Sequence, residues 1–297
     1  MGLIVTPAYR VVAKFAREAR DLPFEEGINH LERNLRAYVH HQLSSVQATL
    51  PELGERAAVA QLGDPEVKPL LAALESLEES GPKEIVEQAL TRCTAVLPRP
   101  DLNVKVLLLP GDGESRVMVQ QMKGVVGISF GSQAMVLFLW PADGWKEWLP
   151  YTVAHEYTHL VRNHLFPRGM AGGRLVYLKT QEPETLLDAM VAEGIGDAFA
   201  NRLYPHLRPP WTREINPLTM ARVWPRVRRR LDVSDPAEIR RILFGDGDRI
   251  PQWTGYTIGY QAVGRYLSSH PSATPATLAG LPARTIFRES GYATLAE

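Results

Sequence analysis

Between residues 8 and 97 apolar side chains recur at three- and four-residue spacing among charged ones: Val11, Val12 and Phe15, then Ile28, Leu31, Leu35 and Val39. That spacing follows the helical turn and predicts an α-helical N-terminal region. Asp21-Leu22-Pro23, Leu50-Pro51, Gly63-Asp64-Pro65 and Ser80-Gly81-Pro82 interrupt it with residues that cap or break helices. After Leu97-Pro98-Arg99-Pro100 the period shortens. Residues 104–109, 116–119, 124–131 and 134–140 read as strands, the last two joined as a hairpin at Gly131-Ser132-Gln133. A small antiparallel sheet is therefore expected over 101–141.

Helical patterning resumes beyond Pro141, with a start near Pro150 and another after Glu182-Pro183-Glu184. A third helix starts at the capping-box-like Asp235-Pro236-Ala237-Glu238, and a last one spans residues 256–267. The expected class is α+β and mostly helical. A helical region over 1–100 precedes a second region over 101–297, made of the sheet at 101–141 and helices at 142–297. There is no solenoid-period repeat and no low-complexity tract.

The chemistry concentrates in the first helix after the sheet, Val153-Ala154-His155-Glu156-Tyr157-Thr158-His159-Leu160-Val161. At about 100° per residue His155 and His159 stand about 40° apart, one turn up the same face, where both imidazoles reach one ion. Glu156 lies beside that pair, which suits a base acting on water next to the metal better than a ligand. Val153, Ala154, Leu160 and Val161 make the helix apolar around the histidines, as for a helix buried beneath a site.

Catalytic zinc takes three protein ligands and leaves a fourth position open. A metzincin needs glycine at position 162 and histidine at position 165, where this chain has Arg162 and Leu165. His164, about 140° round the helix from His159, reads as a surface histidine. Glu193 is the better third ligand: a carboxylate among small and apolar residues needs a partner, and Asp197 shares its face and can accept the outer ring N–H of a ligand histidine. Gly194 and Gly196 lower helix stability, a cost understandable if the two helices must approach closely to bring Glu193 to the ion.

These residues resemble the gluzincins, zinc peptidases with two histidines on one helix and a glutamate on a later one. A closer similarity is to the little-characterised bacterial family of predicted Zn-dependent proteases (domain of unknown function 2268). That family adds a Gly-rich strand before the metal helix and a Gly-Tyr-x-x-Gly-Tyr helix after it, here residues 124–131 and Gly255-Tyr256-Thr257-Ile258-Gly259-Tyr260. The similarity spans roughly residues 100–297. It implies a zincin-like fold, one Zn2+ per chain, hydrolysis of a peptide or protein substrate, and an extended substrate along a strand that includes Gly127, Ile128, Ser129 and Phe130. The alternative for Gly124, Gly127 and Gly131 is hairpin turns and a bulge. Tyr256 and Tyr260 share a helix face, so either phenol can serve an oxyanion or belong to the core, with Tyr256 favoured for the oxyanion.

Charge adds little: lysine plus arginine equals aspartate plus glutamate at 33 each, which gives no reason to expect a nucleic-acid partner. No run approaches ~18 apolar residues, so no membrane span is expected. The single cysteine, Cys93, excludes an intramolecular disulfide, and with no export signal in the first residues the expectation is a cytoplasmic protein. The basic run Arg226-Val227-Arg228-Arg229-Arg230 reads as a solvated helix end, and His40-His41 as a surface pair without an acidic companion. Oligomeric state is not legible. The competing functional reading is a zinc-bound protein that binds or regulates without proteolysis.

Overall fold

The N-terminal apolar run Leu3-Ile4-Val5 forms a strand, β1 (Gly2–Thr6), ahead of the helical region. The computed structural model describes residues 2–44, 50–63, 65–172, 174–213 and 215–294; of the Gly63-Asp64-Pro65 break, Asp64 lies outside them. Two compact units are present, Met1–Glu156 and Tyr157–Glu297.

In the first unit, helices α1 (Tyr9–Ala19), α2 (Phe24–Leu43), α3 (Leu50–Leu62), α4 (Val67–Ser80) and α5 (Pro82–Val96) follow β1. Their apolar stripes bear out the spacing, with Leu31, Leu35 and Val39 of α2 and Leu70, Leu74 and Leu77 of α4 buried. Gly81, at φ +62°, supplies the left-handed turn between α4 and α5 that a residue with a Cβ would resist. Strands β2 (Asn103–Pro110), β3 (Val125–Phe130) and β4 (Ala134–Leu139) complete a sheet of order β1-β2-β4-β3. All six residues of β4 are buried, while β3 is an outer strand.

The class is α+β, but the sheet is mixed where an antiparallel one was expected. β1 and β4 both run parallel to β2, and only the β3–β4 hairpin is antiparallel, with Phe130 opposite Ala134. Alternation marks a residue as strand without naming its neighbour, and the β1–β2 pairing closes across all five helices. Residues 116–119 are also not a strand. They enter a helical turn at Val117–Gln121, closed by Met122 N–H on the Val117 carbonyl at 2.9 Å, in which only Met118 is buried. A short apolar triplet fits either period.

Helix α6 (Trp145–Leu165) contains the division between the units and starts one turn before Pro150, which sits inside it. The second unit continues with the antiparallel pair β5 (Arg168–Ala171) and β6 (Arg174–Tyr177), then α7 (Leu186–Leu203), α8 (Pro217–Arg228), α9 (Pro236–Phe244), α10 (Thr254–Ser269), α11 (Pro275–Gly280) and α12 (Ala283–Glu289). α7 opens on a capping box in which Thr185 and Asp188 satisfy each other's backbone N–H, and Asp235 caps α9 by accepting from Glu238 N–H at 2.8 Å. The expected starts of α7, α9 and α10 hold. β5, β6, α11 and α12 were not anticipated, since α11 and α12 have 6 and 7 residues, too few to establish a period; of α8 only the basic end was expected, because Pro225 with three arginines obscures its period. The core of this unit gathers Met190, Val191, Ile195, Ile258, Ala262 and Ile286.

Candidate metal centre

Helix α6 is buried on most sides, through Tyr151, Val153, Ala154, Tyr157, Leu160 and Val161, so its polar residues are held where little water reaches them. His155 and Glu156 are 8% and 6% exposed. Ligand atoms of His155, Glu156 and His159 lie within 4.8 Å of one another, the convergence expected of histidines one helical turn apart.

Strand β3 holds the Glu156 carboxylate. Ser129 Oγ is 2.7 Å from Glu156 Oε2 and 3.0 Å from the Glu156 carbonyl. A Cβ added at Gly127 would stand 2.4 Å from Glu156 Cγ, so position 127 must be glycine for the carboxylate to rest there. Gly124 and Gly131, at φ +77° and +56°, are turn glycines. The three glycines thus divide into two turns and one close approach, and the approach is by the Glu156 side chain. Ile128 and Phe130 alternate onto the other face, with Phe130 buried.

In the second unit, α7 lies along the later turns of α6, with the Tyr157 and Phe199 rings 6.3 Å apart. His159 Nε2 and Glu193 Oε2 are 3.6 Å apart. Donors ~2.0–2.1 Å from a shared tetrahedral zinc stand ~3.4 Å from each other, so the His159–Glu193 spacing is that of two donors on one zinc; Glu193 is not among the residues whose ligand atoms all lie within 4.8 Å of one another. Asp197, fully buried on the same stripe, accepts from Trp211 Nε1 at 2.7 Å. Sequence reasoning had no means of finding Trp211, since nothing local links it to α7. Farther along that stripe Asn201 Nδ2 donates to the Tyr260 hydroxyl at 3.2 Å, while the Tyr256 ring packs on Trp211, Trp253 and Phe244 with centroids 5.4–5.5 Å apart.

The closeness that Gly194 permits is with α10, not with α6. A Cβ at Gly194 would lie 2.2 Å from the Gly259 carbonyl oxygen, and one at Gly259 would lie 1.8 Å from that of Met190. One glycine of the Gly-Tyr-x-x-Gly-Tyr segment is thereby a packing position against the helix that carries Glu193.

The model of a family described as predicted Zn-dependent protease (domain of unknown function 2268) matches residues 83–288. The chain belongs to this family. No curated protein and no solved structure matches it. The region shared with these predicted Zn-dependent proteases starts within α5 and ends within α12, and so takes in β3, α6, α7 and α10. Among the described residues no helix is long and apolar enough to cross a membrane.

Other conspicuous residues have structural partners. His40 Nδ1 lies 2.6 Å from Glu55 Oε1, an acidic companion brought by α3 that local spacing could not reveal. His270 stacks on Tyr266, and Arg230, at the end of the basic run, pairs with Glu238 at 2.8 Å.

Proposed function

We propose that the chain is a zinc metallopeptidase of gluzincin type, in which His155, His159 and Glu193 hold one zinc and Glu156 is the general base. The observation that carries this reading is the Glu193 carboxylate, brought by a separate helix to 3.6 Å from His159 Nε2. Zinc in such a site supplies Lewis acidity toward a substrate carbonyl and makes nearby water a better nucleophile. Glu156, oriented by Ser129, takes the proton from the attacking water and passes it to the leaving amine. Asp197 sets the orientation of a ligand imidazole through its remaining acceptor capacity. Tyr260 accepts from Asn201 and so keeps its own hydrogen to donate to the developing oxyanion; Tyr256 is the second choice.

As one of the two outer strands of its sheet, β3 offers a backbone edge for an extended peptide or protein substrate, with Gly127, Ile128, Ser129 and Phe130 as the binding segment. The chemistry is assigned to residues 101–297, with β1 and helices α1 to α5 ahead of it in 1–100, in a protein acting in the cytoplasm. Zinc removal tests the proposal: a chelator is expected to abolish hydrolysis of a quenched-fluorescent peptide library, and stoichiometric zinc to restore it. Hydrolysis that survives chelation would leave no place for the metal, whereas full zinc occupancy with no cleavage of any peptide would favour a binding or regulatory protein.

Gly127→Ala is expected to lower kcat by about 10-fold or more while shifting the melting temperature by only a few degrees. The added methyl displaces a catalytic carboxylate at a partly exposed edge, and misplacement of about 1 Å can cost up to ~100-fold. Stopped-assay kinetics and thermal unfolding of the same samples check it, and unchanged kcat would contradict the placement of Glu156.

A further inference from the structure

Within the second unit, a cavity of about 490 Å³ opens beside the last turns of α6, of a size that accepts a small organic ligand. Leu165, Phe166 and Leu187 give it apolar walls, and Arg162 reaches into it. Arg162 is 6% exposed, and its hydrogen bonds all leave from Nη1, each 3.1 Å long, to the carbonyls of Leu278, Ala279 and Leu281. These acceptors are neutral. Among the described residues no carboxylate lies within ion-pair distance of this guanidinium, and its Nε and Nη2 have no hydrogen-bond partner. Its neighbour Arg168, by contrast, pairs with Glu184 and bonds Asn163.

Buried charges are normally paired. Burial pulls the Arg162 pKa down to about 10, which leaves it a cation at neutral pH. The nearest acidic wall residue, Asp188, offsets this charge only in part, because its Oδ2 accepts from Thr185 N–H and Thr185 Oγ. At the rim Lys179 adds an exposed positive charge, Glu182 a negative one, and Arg284 pairs with Asp232. An apolar chamber with a partly unused buried guanidinium is complementary to a molecule with an anionic head and an apolar body.

We propose that this cavity binds a carboxylate carrying an aliphatic or aromatic group, with the anion on the free edge of Arg162 and the apolar group against Leu165, Phe166 and Leu187. The anion is a free carboxylic acid or the C-terminus of a peptide. The site is independent of the zinc chemistry above.

Calorimetric titration of the full chain tests it, with N-acetyl-leucine, N-acetyl-leucinamide and acetyl-Ala-Ala-Leu as the probes. Titrations are run on chelator-treated and on zinc-replete protein, so that a carboxylate sitting on the metal is distinguished. Both acids are expected to bind in both states, with the amide at least about 10-fold weaker. Arg162→Gln should abolish binding; because it also strips three carbonyls of their donor and can unfold the chain, Thr180→Trp at the exposed rim is the second variant, expected to weaken both acids at least 10-fold by filling the mouth. Tighter binding of the tripeptide acid identifies a peptide C-terminus as the ligand, and equal binding a small carboxylate. The proposal is overturned if neither acid binds, if acid and amide bind alike, or if Thr180→Trp leaves acid binding unchanged.

Discussion

Glu156→Gln is expected to lower kcat/KM for peptide hydrolysis by about 10³-fold, within the range that general acid–base catalysis contributes, while zinc content and fold stay as in the parent chain. The amide is isosteric with the carboxylate, so it still fits against Gly127 and bonds to Ser129 Oγ, which is 2.7 Å from the native Oε2. It cannot accept a proton. Because Glu156 is not among the proposed ligands, metal affinity should change little, and the loss should appear in kcat more than in KM. Kinetics on the peptide library together with elemental analysis separate the two quantities. A variant that keeps full activity with zinc bound would place the base elsewhere.

Gly259→Ala is the substitution expected to cost most stability. Its Cβ would fall 1.8 Å from the Met190 carbonyl oxygen and 2.6 Å from the carbonyl carbon, both backbone atoms in the body of α7. A side chain could swing away, but a helix backbone cannot, so α7 and α10 must part. Overpacking of this kind costs about 3 kcal/mol or more, against a gain of at most ~1 kcal/mol from better helix propensity. The expected net loss is about 2 kcal/mol or greater, with weaker zinc binding because α7 carries Glu193. Gly264→Ala on the same helix is the control. Nothing lies within 4 Å of its Cβ, so propensity alone should act and stabilise the chain by up to ~1 kcal/mol. Urea unfolding of the three chains decides it, and equal midpoints for Gly259→Ala and the parent would contradict the helix-to-helix contact.

What could be read from the sequence followed from how local each feature is. His155, Glu156 and His159 lie on one helix turn, so spacing alone brings their side chains together, and the burial of α6 followed from its apolar neighbours. The embedding of Glu193 among small residues pointed to a buried carboxylate; the structure leaves it partly exposed and sets it 3.6 Å from His159 Nε2. The glycines were harder to read. Gly194 signalled a close approach, yet only the fold shows that its partner is Gly259, because an absent side chain records that space is needed without recording what fills it. Gly127 was legible as a glycine in a strand, but the atom pressing on it belongs to Glu156, 29 positions along the chain. The parallel β1–β2 pairing, the Trp211–Asp197 hydrogen bond and the unpaired Arg162 are products of long-range closure and leave no local signature. At Arg162 the sequence registered only that a histidine-rich zinc signature stops short.

The proposed zinc site on His155, His159 and Glu193 is tested most directly by a competition titration of zinc between the chain and a fluorescent chelator. Cys93 is buried, with its thiol pushed up to about 12, so no thiolate should contribute to the zinc count. About one zinc per parent chain is expected, with an affinity about 100-fold lower or worse in Glu193→Ala. A parent chain that binds much less than one zinc, or a Glu193→Ala variant that binds it as tightly as the parent, would contradict it.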